Sequence, residues 1–257
     1  MLYDRLLVAL PISTCCRLLE WDSDFFGFRI ARVEGDRLSK NQLPAILDWC
    51  SAQQIRCLYL LAAAADQETA GVAADYQFRF VDIRTTLEAD VGGAGSGSPN
   101  VRLATLDDIE PLAAIARTSH TDSRFYWDEN FPREKCDLLY QTWIEKSIRG
   151  YAKAVLVAEQ ESKQAGYITC DWSGETGQIG LIAVADWARG KGLGGILVKS
   201  SVKLFKEQGM KRVIVVTQGR NVPAQRLYQH CGFLTSSVEI WYHAWFPLSP
   251  AMIAEGR

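Results

Sequence analysis

From residue 101 onward, the hydrophobic positions alternate between the period of a strand and that of a helix. The run "VRLA" (101–104) predicts a short strand, and Thr105 with Asp108 has the spacing of a capping box opening the amphipathic stretch "LDDIEPLAAIARTS". The aromatic segment "DSRFYWDENFPREKCDLLYQTWIEKSIRG" predicts a loop and then a helix from about Arg133. Three β-rich runs follow, "AKAVLVAEQ", "QAGYITCDW" and "GQIGLIAVA", divided by polar or glycine-containing turns, which predicts an antiparallel meander. Leu193, Ile196, Leu197, Leu204 and Phe205 then fall on one helical stripe, with Gly209 placed to end it. "KRVIVVTQ" predicts a buried strand, and Asn221 caps a helix over "VPAQRLYQHC", with proline in its first turn and Gly232 just past its end. A closing pair of β-like runs completes the order β-α-(α)-β-β-β-α-β-α-β, a mixed α/β sheet.

Composition changes this picture at one place. The run "VGGAGSGSPN" (91–100) lacks the apolar side chains that would offset the entropy of ordering it, so it predicts a linker between residues 1–90 and residues 101–257. With 257 residues, 48% of them hydrophobic, the chain can bury a sizeable core. The formal net charge of −2, with both signs interspersed, leaves no broad basic face for phosphate contacts and argues against nucleic acid as a partner. Seven cysteines, including the adjacent Cys15 and Cys16, show neither CxxC nor Cys/His ligand spacing. They read as reduced thiols in a cytoplasmic protein without a metal site. The opening apolar stretch is too short for a signal peptide, and nothing reaches transmembrane length, so no membrane partner is expected.

Chemistry concentrates in "WARGKGLGG", which follows the apolar run "IGLIAV". Gly190, Gly192, Gly194 and Gly195 carry no Cβ and can take positive φ, so the backbone can gather N–H groups at the positive end of the next helix. Arg189 and Lys191 add charge that suits a pyrophosphate. A turn that merely joins strand to helix is the plainer alternative. A Walker loop is excluded because Gly192, not Ser or Thr, follows Lys191. The pattern GxGxxG is met by Gly190, Gly192 and Gly195, but "ADWAR" separates it from the strand and the next strand ends in Thr217 and Gln218, not in an acid.

"IAVADWARGKGLGGILV" followed by "NVPAQRLYQHCGF" resembles the two signature motifs of the GNAT superfamily of acyl-CoA-dependent N-acetyltransferases, with Arg189, Gly192 and Gly194 in the R/Q-x-x-G-x-G/A positions. The resemblance runs from Val101 to about Phe246. It implies acetyl-CoA, or another acyl-CoA, as cosubstrate. Its pyrophosphate would lie on Arg189, Gly190, Lys191, Gly192, Leu193, Gly194 and Gly195. Its pantetheine would pair with a strand at Ile182, Ala183 and Val184 that splays from "VIVVT". The resemblance also makes Tyr228 the general acid for the departing thiolate and Asn221 a coenzyme contact. A tyrosine packed only for structure is the alternative for Tyr228. No base stands out; Asp171 could relay a proton through water, or be a solvated turn residue.

"LLEWDSDFFGFRIARVE", the aromatic segment and the acyl-CoA motifs together are similar to the group of acetyltransferases that modify TDP-linked fucosamine. In that group the first of these opens a smaller, truncated GNAT-like α/β domain, here marked by Trp21, Phe25, Phe26 and Gly27. In that group "SRF" precedes an aromatic segment beside the acceptor; here Arg124 could pair a phosphate and Phe125, Tyr126 and Trp127 stack on the sugar or base, the alternative being a surface arginine with the aromatics folded onto the core. The implied partner is a nucleotide-linked amino sugar, handled by an enzyme that leans toward a homodimer. A peptide or small-amine acetyltransferase and a noncatalytic coenzyme-binding regulator are the competing expectations.

Overall fold

The computed structural model describes residues 15–93, 98 and 100–247. The chain divides into two compact units, one made of the chain up to Asp82 together with the stretch from Glu239 on, the other of Ile83–Val238. The first unit alternates strand and helix: β1 (Cys16–Leu18), α1 (Glu20–Phe26), β2 (Ile30–Val33), α2 (Leu43–Ala52), β3 (Cys57–Ala63) and α3 (Gln67–Asp75). Its strand β2 runs antiparallel to β1 and parallel to β3. Along β3 the side chains point alternately to the two faces. Leu58, Leu60 and Ala62 share one of them and pack in a core with Ile46 and Cys50 of α2 and Val72 and Ala73 of α3. Phe26 is buried at the end of α1, where Gly27 stops the helix in a left-handed conformation.

Two strands carry residues of both units. β4 (Arg79–Asp90) pairs through Arg84–Asp90 with β9 (Arg212–Gln218), antiparallel. β10 (Leu234–Trp245) pairs through Glu239–Trp245 with β3. The compact units therefore part inside these strands, whereas the sequence places its boundary in 91–100. A composition break marks where the chain lacks apolar side chains; the backbone ladder of β4 ends only at Asp90, just before it. The two closing β-like runs are one twelve-residue strand. No proline or glycine interrupts "LTSSVEIWYHAW" to divide it.

The second unit follows the predicted order closely. β5 (Val101–Leu103) leads to a 3₁₀ turn at Leu106–Asp108, where the Thr105/Asp108 capping box is formed, and then to α4 (Ile109–Ser119). The aromatic segment holds one short helix, α5 (Arg124–Trp127), and then α6 (Arg133–Lys146). β6 (Ala154–Gln160), β7 (Lys163–Ser173) and β8 (Thr176–Val184) form the meander, with β5 on the far side of β6. α7 (Leu193–Glu207) buries Leu193, Leu197, Val198 and Phe205, and Gly209 beyond it has φ +78°. Phe205 lies so close to β8 that a Cβ on Gly177 would stand 2.6 Å from its ring. β9 runs parallel to β8, and α8 (Val222–His230) follows it. No helix among the described residues is long and apolar enough to cross a membrane.

Candidate functional site

The ladder between β8 and β9 stops halfway. Thr176–Ile179 pair with Arg212–Val215, and the pairing goes no further. On its other edge β8 stays with β7 as far as Val184, but through a bulge. Ile179 faces Cys170 and Ile182 faces Ile168, so Gly180 and Leu181 together oppose Thr169. An extra residue bends its strand and sharpens its twist, which turns the C-terminal half of β8 out of line with β9. The local sequence suits this bend. The Leu181 N–H donates to Thr169 Oγ1 at 2.7 Å, and a Cβ on Gly180 would come within 2.5 Å of the same oxygen.

Past the bulge, the direction of the backbone groups follows from the register. The Ala185 N–H donates to the Ala165 carbonyl at 2.8 Å, and bonded pairs alternate with unbonded ones along an antiparallel ladder. Tyr167–Ala183 is therefore the next bonded pair, and Ile168–Ile182 and Gly166–Val184 are not. The N–H and C=O groups of Ile182 and Val184 point away from β7, into the side that β9 has left. Ala183, 5% exposed, faces its β7 partner with its backbone groups instead.

A cavity of about 160 Å³ occupies the gap. Gly180, Leu181 and Ile182 of β8 line it from one side, and Val216, Thr217 and Gln218 of β9 from the other. Asn221 and Tyr228 close it from α8. Asn221 caps that helix, its carboxamide oxygen accepting the Ala224 N–H at 3.0 Å. Tyr228 stands seven residues on, two helical turns along the same face, and is 2% exposed. Burial pushes its phenol well above the ordinary tyrosine value, which keeps it protonated and able to donate.

The glycine turn adopts the left-handed conformations its composition suggests: Gly190 has φ +77° and Gly192 φ +80°, immediately ahead of α7. The Ile196 N–H is the first to close the helix, on the Gly192 carbonyl at 3.2 Å, so the amides of Leu193, Gly194 and Gly195 precede any intrahelical bond. Gly194 also lets α7 approach α8, since a Cβ there would stand 3.1 Å from a methyl of Leu227. Both cations of the turn are engaged locally. Arg189 pairs with Asp186 at 2.8 Å and donates to the Val184 carbonyl at 3.3 Å; the Lys191 ammonium lies 5.8 Å from the Trp187 ring centroid. Pairs this exposed are weak, so both charges remain exchangeable toward an anion.

The four residues of the predicted acceptor segment separate. Phe125 is buried, edge-on to Phe131 and Trp143, with the Arg124 guanidinium over its ring. Tyr126 donates to Asp137 at 2.7 Å. Trp127 keeps an exposed face, and Arg220, from the β9–α8 connection, lies over it at 4.3 Å while donating to the Asp122 carbonyl. None of the four lines the cavity; Asp122, two residues before Arg124, does. Asp171 accepts the Lys153 N–H at 3.2 Å and is likewise not among the lining residues.

Sequence reasoning passed over the remaining wall. His120, the residue that ends α4, stacks on Tyr140 of α6 with ring centroids 4.5 Å apart and its Nε2 is 3.0 Å from the Tyr167 hydroxyl. His120 and Tyr140 line the cavity with Trp143. The signal was the rarity of histidine, of which the chain has three. Among the described residues no cluster of His, Cys, Asp and Glu is placed to hold a metal ion.

Residues 115–233 match the model of the acetyltransferase (GNAT) family. The spore coat polysaccharide biosynthesis protein SpsD of Bacillus subtilis is 28% identical over 138 residues, which is 54% of this chain and 48% of that protein, so the chain spans about half of that relative's length. The [ribosomal protein bS18]-alanine N-acetyltransferase described for Bacillus subtilis is 29% identical over 56% of this chain and 85% of its own. The dTDP-fucosamine acetyltransferase of Escherichia coli O6:H1 is 24% identical over 91% of this chain and its own full length. Among solved structures, a GCN5-related N-acetyltransferase from Sphaerobacter thermophilus shares the fold, with a TM-score of 0.60 over 90% of this chain and 76% of its own at 14% identity. An interrupted strand pair, a glycine turn opening a helix and an Asn-capped helix bearing a buried tyrosine thus occur within the stretch, residues 115–233, that matches the acetyltransferase (GNAT) family model.

Proposed function

We propose that this chain transfers an acyl group, acetyl in the first instance, from acyl-CoA to the amino group of a nucleotide-linked amino-deoxy sugar, with Tyr228 as general acid. The observation that carries the reading is the gap in the sheet. Two backbone rungs of β8, at Ile182 and Val184, point into the gap whose cavity the Tyr228 phenol helps to close. An extended pantetheine chain has amide groups at a spacing that can continue such a ladder. The pyrophosphate then falls toward the turn Arg189–Gly195, where the first amides of α7, Arg189 and Lys191 supply the positive field. Asn221 reaches the same arm of the coenzyme from the head of α8.

The coenzyme supplies an activated thioester carbonyl. Backbone N–H groups of the bent strand beside Ile182 meet the oxygen as it gains charge. Tyr228 gives its proton to the thiolate as the C–S bond breaks. Trp127 and Arg220, near Asp122 at the cavity, offer a flat face and a cation to a nucleotide-linked acceptor, and Arg124 adds a second cation on the same short helix. The likeness to the dTDP-fucosamine enzyme extends through the first unit, which supports reading residues 1–90 as a truncated acyltransferase-like half that accompanies the catalytic one. The likeness to the bS18-alanine enzyme favours a second reading, transfer to a peptide N-terminus.

Thiol release from acetyl-CoA, measured against amino-sugar nucleotides, peptides and polyamines, tests the choice. Release with amino-sugar nucleotides supports the first reading, and release with peptides alone replaces it by the second. No release with any amine, joined to coenzyme binding, leaves a regulator. At a hundredfold excess over its dissociation constant, coenzyme A should stabilise the fold by about 2.7 kcal/mol.

A further inference from the structure

Acyl transfer to an amine needs a group that accepts a proton as well as one that donates, and the carboxylate the sequence offered does not serve. Asp171 is occupied by the Lys153 amide outside the cavity. What the cavity does hold is an imidazole, on the wall formed by α4 and α6. His120 is fixed from two directions: its ring lies flat on Tyr140, 21° from parallel, and Nε2 meets the Tyr167 hydroxyl at 3.0 Å. Tyr167 is fully buried, and its phenol is held protonated by removal from water. The contact admits either direction; the tautomer that serves here has the proton on Nε2, donated to the Tyr167 oxygen, with the lone pair on Nδ1, and it is part of the proposal.

Resting on the acyl-transfer reading above, we propose that His120 is the catalytic proton acceptor of the reaction, its Nδ1 taking the proton that the amine sheds as the new N–C bond forms, and that Tyr167 is the positioning residue that holds the ring through Nε2.

The step balances as follows. The neutral amine attacks the thioester carbon, the N–C bond forms, and the carbonyl π pair moves onto oxygen. The nitrogen gives one proton to Nδ1, producing an imidazolium. The oxyanion pair returns, the C–S bond breaks, and the thiolate takes the phenol proton of Tyr228. Solvent then receives the imidazolium proton and restores the phenol, so the net products are the amide and free coenzyme thiol. Tyr140 of α6 and Tyr167 of β7 touch His120, and Tyr228 of α8 and Asp122 of its own connection line the same cavity. Three of them are phenols, and only Asp122 carries charge. Withdrawal of the ring from water lowers its pKa to about 4, so it remains a free base at neutral pH and below.

His120→Gln keeps a hydrogen-bonding side chain of similar length but removes the basic nitrogen. It should bind coenzyme A as the wild type does and lower kcat by about 10²-fold, the usual scale for losing a general base. His120→Ala opens room beside Tyr140, and added imidazole should restore turnover in proportion to its neutral fraction. Tyr167→Phe should lower kcat without changing coenzyme affinity, with no response to added imidazole. If both His120 variants bind coenzyme A, a wild-type kcat in His120→Gln overturns the assignment, as does failure of imidazole to restore His120→Ala. Should His120→Gln not fold, the imidazole response of His120→Ala decides alone. Absence of transfer by the wild type to every amine overturns this proposal and the acyl-transfer reading together, whereas normal transfer by His120→Gln removes only the proton acceptor.

Discussion

The Leu181 N–H donates to the side-chain oxygen of Thr169, 2.7 Å away, at a point where the neighbouring strand would ordinarily offer a carbonyl. That one hydroxyl lets β8 carry an extra residue against β7 without stranding an amide. Thr169 is 3% exposed, so water cannot take its place. Thr169→Val, which keeps the shape and removes the acceptor, should cost about 1–3 kcal/mol of stability. Urea unfolding measures it, and an unchanged midpoint would show that the bulge does not depend on this bond.

The Tyr228 phenol is buried and its pKa is raised, so the protonated form persists beyond the ordinary value of about 10. An acid that must be protonated contributes activity below its pKa and loses it as the pH rises through that value. The basic fall of kcat assigned to this group should therefore lie above pH 10. Tyr228→Phe should fold normally and lose about 10²-fold in kcat. Full turnover in this variant would remove Tyr228 from the chemistry.

Gly192 has φ +80°, a conformation that costs a residue with a Cβ about 1–2 kcal/mol. Nothing lies within 4 Å of where that Cβ would be, so Gly192→Ala suffers from backbone strain alone. The expected result is a small drop in melting temperature together with weaker coenzyme A binding, as the turn relaxes and its amides lose their common aim. Calorimetric titration separates the two effects. Unaltered affinity would take the turn out of the coenzyme site.

Asp108 is 1% exposed and accepts from both terminal nitrogens of Arg102, at 2.7 and 2.9 Å, from the Thr105 N–H at 2.8 Å and from Gln164 at 2.9 Å. The Arg102 guanidinium, followed by the Thr105 amide and Gln164, holds its carboxyl well below the usual carboxylate range, against the opposing effect of burial. A depressed folded-state value contributes stability that is complete above the unfolded pKa and is lost as the pH falls through the folded one. Stability should thus decline below about pH 4. Asp108→Asn should cost about 2 kcal/mol at pH 7 and flatten that decline. Thermal melts between pH 2 and pH 7 test both, taking pH 7 as the plateau expected for a carboxylate of ordinary pKa of about 4.

Much of the second unit is legible because its signals are local. A Thr–Asp spacing makes a capping box, a five-residue apolar stripe makes α7, and Asn221 ahead of Pro223 makes the cap of α8. The glycine turn is legible for the same reason. The bulge is not, because it depends on Thr169 meeting Leu181 twelve residues away. His120 escapes because its setting is made by Tyr140 and Tyr167, which adjacent sequence does not announce. The aromatic segment misleads in part. "RFYW" is one turn of helix, and a turn distributes four successive side chains around its axis, which is why Phe125 enters the core while Trp127 stays outside.

An unpaired strand margin is ordinarily a hazard, because any other extended chain can add to it and continue into an aggregate. Here the rungs that lack a strand partner lie beside β9, in a notch closed at its head by α8, with the Val184 carbonyl accepting from Arg189. The pantetheine arm proposed for this gap is slender and carries almost no substituents. If the gap takes the pantetheine arm proposed above, the interrupted pairing would work as a size gauge, keeping these backbone groups for one narrow guest.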